Sequence, residues 1–242
     1  LDDAVTGLLL NPRSENLGHP SIREIFLKTL DRQALLDRRA DKNSNEAAGI
    51  MADCVVWNTS SYYADGAKLF TAQDDTVLER LPSLLEMLEM EQLPSISVVC
   101  PDDQESINIA NGFLISWNNK LGNAFNIEPL PEEEFEKRIA AGEYDAALYT
   151  LRAGGTTPYQ VLKAFESTSY PSLLEDGEFD AGLHSLTFDL ASYRQLETRL
   201  VEKYVFYPLF SDKTYYVTGP STKGIAGAPD LSVNFITAKK RS

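Results

Sequence analysis

The chain has 242 residues, 43% of them hydrophobic, and a formal net charge of −14. That length provides one large domain or two small ones with a substantial core. The charge excludes nucleic acid as the main partner, since a phosphate backbone needs a basic footprint, and it opposes docking on an anionic membrane surface.

The first residue is Leu1, and neither a secretory leader nor a long apolar run follows. The expectation is a processed protein or an excised piece of a longer one. Cys54 and Cys100 are the two cysteines, each in an apolar run. Their number permits one bridge, but the setting favours buried free thiols.

In chain order, Ala4 to Asn11 reads as a strand, and Pro12 to Pro20 as a loop. Ser21 is placed to cap a helix with Ile22, Ile25, Phe26 and Leu30 on its apolar face, ending near Leu36. Asp37 to Glu46 is charged, and either extends that helix or forms a loop. Gly49 to Gly66 reads as irregular chain. Thr76 to Met90 is helical, with a core-facing Leu stripe and a kink or new turn at Pro82.

Ser95 to Tyr159 carries the clearest pattern. Ser95 to Cys100, Asn123 to Glu128 and Tyr144 to Thr150 are strand-like. Between them lie two helices. Asp102 and Asp103 offer N-caps for the first, and Gly122 closes it. Pro131 starts the second, acidic helix, which buries Phe135 and Ile139 and ends at Gly142. Two such units imply parallel strands with right-handed crossovers. Ligands of open α/β sheets sit beyond the strands' carboxyl ends, which selects the loops Pro101–Ser106 and Leu151–Thr157.

Pro158 to Ser167 then predicts a short helix, Tyr170 to Ser185 a loop, and Phe188 to Tyr204 an amphipathic helix. Phe206 to Phe210, Thr214 to Thr218 and Val233 to Ala238 read as strands, with a turn-rich stretch at Gly219 to Pro229.

Catalytic patterns are weak. His19 and His184 lie in separate polar loops, neither in a nucleophile-elbow context. No metal-ligand spacing and no cofactor fingerprint is present. Glu132, Glu133 and Glu134 sit at a helix start, where they compensate the macrodipole better than they form a catalytic pair. Gly154-Gly-Thr-Thr157 suits either a tight strand-to-helix turn with a Thr cap or, beside Arg152, a small anion site. The residue types alone favour the turn.

Five segments carry a family likeness: His19-Pro-Ser-Ile-Arg-Glu-Ile-Phe-Leu-Lys-Thr-Leu-Asp-Arg-Gln-Ala-Leu35; Ala64-Asp-Gly-Ala-Lys-Leu69; Val98 to Ser106 with Trp117 and Leu121-Gly122; Glu134-Phe-Glu-Lys-Arg-Ile-Ala-Ala-Gly-Glu-Tyr-Asp145; and Pro208 to Gly224. In this order they resemble the second half of bacterial extracellular solute-binding proteins of family 5, the receptors of oligopeptide, dipeptide and nickel ABC importers. The resemblance implies an α/β lobe of the periplasmic-binding-protein type II fold, with a mixed, mostly parallel sheet flanked by helices. Residues 1–218 would form the C-terminal ligand-binding lobe, and 219–242 a crossover segment returning to an N-terminal lobe, less well packed than the core. It implies capture of a peptide or related solute between two lobes, without bond-making or cofactor, and delivery to a permease outside the cytoplasmic membrane, with a lipid anchor in the parent protein.

Ligand-facing candidates are Tyr149, Thr150, Leu151, Arg152, Ala153, Gly154 and Gly155, with Pro101, Asp102, Asp103 and Ser106 in the second loop and Phe206 and Tyr207 as outliers. Peptide-binding members carry a Trp and an ammonium-holding Asp in the turn after the third strand. Here Leu151 and Gly154 occupy those positions. A buried ammonium without a carboxylate costs several kcal/mol. Arg152 instead points to a carboxylate or another anion as the group held here.

Overall fold

The computed structural model describes residues 4–39, 73–122, 125–152 and 157–211, together with the backbone pairing of five two-residue strands. The main sheet contains β1 (Ala4–Leu10), β2 (Asn45–Glu46), β3 (Ile96–Pro101), β4 (Phe125–Leu130), β5 (Ala146–Arg152) and β6 (Phe206–Ser211). Helices α1 (Pro20–Lys28), α2 (Arg32–Asp37) and α3 (Val77–Met87) precede β3. Helix α4 (Gln104–Leu121) joins β3 to β4, and α5 (Glu132–Ala141) joins β4 to β5. Helices α6 (Pro158–Lys163), α7 (Gly177–His184) and α8 (Leu190–Glu202) lie between β5 and β6. Two further ladders pair β7 (Thr222–Lys223) with β10 (Lys239–Lys240) and β8 (Ala226–Gly227) with β9 (Val233–Asn234).

Strand order is β2-β6-β1-β5-β3-β4. Strands β3, β4, β5 and β6 run in one direction, and β1 and β2 run against them. The strand–helix–strand pattern thus yields the parallel trio β5-β3-β4, because each crossover helix returns the chain to the starting edge. β1 is inserted antiparallel, with Ala4 opposite Arg152 and Thr6 opposite Phe210. Gly7 sits at the register shift, where a Cβ would lie 2.3 Å from the Tyr207 carbonyl oxygen. Only a residue without a side chain allows that approach.

The core is one contiguous cluster drawn from the sheet and from helices on its faces. Trp117 of α4 anchors one layer. Its ring packs edge-on against Phe26 at 5.1 Å and near Phe113 at 6.0 Å, and its indole N–H donates to the Phe26 carbonyl at 2.8 Å. That bond satisfies the one polar group such a buried ring carries.

Two expectations are corrected, and that for Cys100 holds. The first helix is two helices: His19, not Ser21, caps α1, its Nδ1 accepting from the Ser21 amide at 3.2 Å. Thr29 and Leu30 break the run, and Asp31 caps α2 by accepting from the Ala34 amide at 3.0 Å. The expected loop Tyr170–Ser185 contains α7, whose cap Asp176 accepts from the Glu178 and Phe179 amides. Cys100 is a buried free thiol, pushed up to about 11 by burial and then by the charges of Asp103 and Asp102. Expectations for Gly49–Gly66, Cys54 and most of the stretch after Ser211 lie outside the described residues.

Candidate functional site

The carboxyl ends of β3, β4 and β5 form one edge of the sheet. At the end of β3, Asp103 caps α4. Its carboxylate accepts from the amides of Glu105 and Ser106 at 3.0 and 2.9 Å, and from the Ser106 hydroxyl at 2.6 Å. Burial raises the Asp103 carboxyl, but these hydrogen bonds outweigh it and hold the group below the ordinary carboxylate range. Asp103 and Ser106 are therefore committed to each other and to the helix start.

At the end of β5, Thr150 exchanges a 2.9 Å hydroxyl contact with Thr6 on β1. Leu151 is buried, Arg152 is exposed and Tyr149 is half-buried. Burial raises the Tyr149 phenol above its ordinary value, and the nearby Glu136 charge adds to the effect. Thr157 stands at the N-cap of the next helix, where its amide and hydroxyl donate to Gln160 Oε1 at 3.2 and 3.0 Å. Ala153, Gly154 and Gly155 lie outside the described residues.

Two concavities open at this edge, of about 670 and 700 Å³. The first is walled by Asp102, Asp103 and Ser106 and by the Glu132, Phe135 and Glu136 side of α5. The second is walled by Leu151 and by Thr157, Tyr159, Gln160 and Lys163 around α6. Tyr149, Arg152, Tyr170 and Pro171 line both. The edge is thus a pair of grooves, carboxylates on one side and Lys163 on the other, with Arg152 in the shared middle. Each volume falls in the range of small-molecule sites.

The structure brings Tyr149, Thr150, Leu151 and Arg152 together with Pro101, Asp102, Asp103 and Ser106, as the rule for open sheets requires. Phe206 and Tyr207 are in the core at the amino end of β6, opposite Leu9 and Leu8 and far along the strand from that edge. Sequence reasoning missed Tyr170, Pro171, Glu132 and Glu136. The signal for Tyr170 was an aromatic ring inside a polar turn, Ser167-Thr-Ser-Tyr-Pro-Ser172.

The histidines have other work. His19 caps α1, and the His184 Nε2 lies 2.6 Å from Oε1 of the buried Glu166. The acids at the start of α5 flank a helix N-terminus, as macrodipole compensation predicts.

The fold is that of one lobe of a type II periplasmic-binding protein, a mixed α/β sheet flanked by helices. Peptide-binding proteins are among the solved structures it resembles. The chain aligns with the pheromone receptor PrgZ, whose structure describes its mode of peptide binding, at a TM-score of 0.78 and 15% identity over 99% of this chain and 49% of that one. The substrate-binding domain of an oligopeptide ABC transporter from Bacillus anthracis gives 0.76 and 17% over 100% and 50%. Haemophilus influenzae OppA, in complex with RPPGFSPFR, gives 0.75 and 16% over 99% and 48%. This chain therefore spans about half the length of these three proteins, and at these identities the likeness is one of fold. No family model and no curated protein matches the sequence. Among the described residues, no helix is long and apolar enough to cross a membrane.

Proposed function

We propose that this chain is one lobe of the substrate-binding component of an ABC importer, taking a peptide or related small solute against the carboxyl ends of β3 and β5. Residues 1–218 form the ligand-binding lobe and 219–242 return toward an N-terminal lobe, which supplies the opposite wall. The closed protein engages a permease outside the cytoplasmic membrane, held there by a lipid anchor. The observation that carries this reading is the position of the paired grooves. They open at the strand ends of a fold shared with peptide receptors, where a second lobe would close over them. The chemistry is binding, consistent with histidines engaged in a helix cap and in a close contact with the Glu166 carboxyl.

Arg152 is the group that orients the ligand on this wall, holding a carboxylate. It is exposed at the shared middle of both grooves, on a strand whose position is fixed by pairing with β1. A charge-assisted hydrogen bond contributes about 1.5–3 kcal/mol, and solvent exposure places Arg152 at the lower end. Mass spectrometry of small molecules that co-purify with the protein identifies the ligand class. Calorimetric titration of that ligand into the Arg152→Ala variant should show affinity reduced about tenfold. Unchanged affinity removes Arg152 from the site, and a co-purifying ligand with no anionic group does the same. A transport role and a purely sensing role share this geometry. The likeness to a pheromone receptor keeps sensing as the second reading, and capture of a permease by the ligand-loaded protein separates the two.

A further inference from the structure

Tyr170 is 85% exposed, the most exposed large hydrophobic side chain among the described residues. Exposed aromatic rings are common on mobile loops, but this loop is fastened on both sides. Before the ring, the Ser169 amide donates to the Glu166 carbonyl at 2.9 Å and the Ser169 hydroxyl to the Lys163 carbonyl at 2.5 Å. After it, Arg13 donates to the Ser172 carbonyl at 3.0 Å, and Leu173 and Leu174 are each only 3% exposed. The backbone is therefore anchored to α6, to the β1–α1 loop and to the core, while the ring is left in solvent. It stands at the mouth of both grooves, alongside Tyr149 and Arg152.

The fixed backbone holds a large aromatic ring in water with almost none of its surface covered. Tyr is well suited to supply contact area on binding, because it has few rotatable bonds to immobilise. We propose that Tyr170 is a specificity-determining residue of the candidate site: it is a platform for a flat apolar side chain of the ligand, a phenylalanyl, tyrosyl or tryptophanyl ring, at the point where the ligand crosses from one groove to the other. The inference rests on the reading of this edge as a peptide-binding wall and names the ligand class within it. Half-buried Tyr149 lines the same two grooves, so an incoming aromatic side chain has two phenols available for the offset or edge-on arrangements such rings prefer. The ligand carboxylate on Arg152 is then within the same middle section.

The test uses two probes, the peptides Ala-Ala-Phe-Ala and Ala-Ala-Ala-Ala, with saturation-transfer NMR at millimolar peptide so that weak binding is read. The wild-type chain should bind the Phe peptide more tightly, with transfer concentrated on its ring protons. Tyr170→Ala should weaken the Phe peptide about 3- to 10-fold and leave the Ala peptide unchanged. Tyr170→Phe, which keeps the ring, should restore the preference. Equal affinities of wild type and Tyr170→Ala for the Phe peptide overturn the inference while leaving peptide binding intact, and assign the ring instead to a protein surface such as a companion lobe. Failure of the wild type to bind either peptide overturns the receptor reading and this inference with it. The ring is solvent-exposed, so the substitutions should leave the melting temperature unchanged; a fall of several degrees assigns it a structural role and also overturns the proposal.

Discussion

Asp176 shows how much a single side chain carries in this lobe. It caps α7 through the Glu178 and Phe179 amides and accepts from Arg199 at 2.7 and 3.1 Å and from Lys203 at 2.9 Å. Burial raises its carboxyl, but the bonds from Arg199 and Lys203, and then the Phe179 amide, overcome burial and hold it well below the ordinary range. A carboxyl depressed in the folded state contributes stability above its unfolded value of about 3.9, and loses it as pH falls toward the folded value. Asp176→Asn keeps an acceptor for the cap and removes the charge. Urea unfolding at pH 7 should show a loss of about 1–3 kcal/mol. The gap to wild type should narrow as the pH is lowered from about 5 toward 3. A gap that is constant across that range would mean that the charge contributes nothing. Residues of this kind are the least legible in the sequence. Local rules pass over His19 as a cap because Ser, Thr, Asp and Asn are the usual choices. The Arg23 guanidinium is buried against the carbonyls of Leu17, Gly18 and Lys203, and burial lowers it to about 10. Lys203 lies far along the chain from Arg23, so no local pattern announces that contact.

At the scale of elements, the strands and helices from β3 to β5 are legible because period, cap and terminator agree there. Asp103 caps α4, and Phe135 and Ile139 face inward from α5. Gly142 ends α5 in the left-handed conformation at φ 71°. The motif from Glu134 to Asp145 is explained in the same terms. Arg138 pairs with Glu128, and Asp145 accepts from Ser14 and Asn16. Gly142 and Asp145 lie toward the amino end of β5, away from the grooves, so that end of the segment serves the scaffold, whereas its Phe135 and Glu136 line a groove. Helix α7 escapes a sequence reading because two glycines and four acids in Glu175–Gly182 mimic a loop. Packing overrides that local signal: Phe179 and Leu183, one turn apart, are buried, and a Cβ on Gly182 would lie 2.6 Å from Leu196 Cδ2 on α8. Gly182 thus sets the spacing of α7 and α8. Gly182→Val should cost about 1–3 kcal/mol by overpacking, measured by urea denaturation, and Leu196→Ala in the same chain should recover part of it. Additive losses in the double variant would show that the two residues do not meet.

At the scale of the whole molecule, the sheet and the site are one object. The core cluster includes Leu148 and Leu151 of β5, Phe135 and Ile139 of α5, and Val161 and Leu162 of α6, which support the groove walls, together with residues of β1, α1 and β6 on the far side. The direction of β1 adds a second link, since Ala4 opposite Arg152 places the start of that strand at the edge where the grooves open. The site is legible as an edge because the parallel strand pattern points there. The lining from α5 and from the Tyr170 loop is not, because sequence gives no register between a helix face and a distant loop. One contiguous core predicts one unfolding transition, and a ligand held by its walls should shift that transition as a whole. A ligand that binds only the folded state adds about 2.7 kcal/mol at a concentration 100 times its Kd. For a chain of this size each kcal/mol moves Tm by about 2–4 °C, so calorimetry should show a rise of about 5–10 °C. Arg152→Ala should reduce the rise at the same ligand concentration, because less of the protein is bound. Two transitions, of which the ligand moves one, would mean that the grooves belong to a unit separable from the β1–β6 side of the sheet. No shift at saturating ligand would mean that it binds folded and unfolded chain alike, which a site assembled from β3, β5, α5 and α6 does not permit.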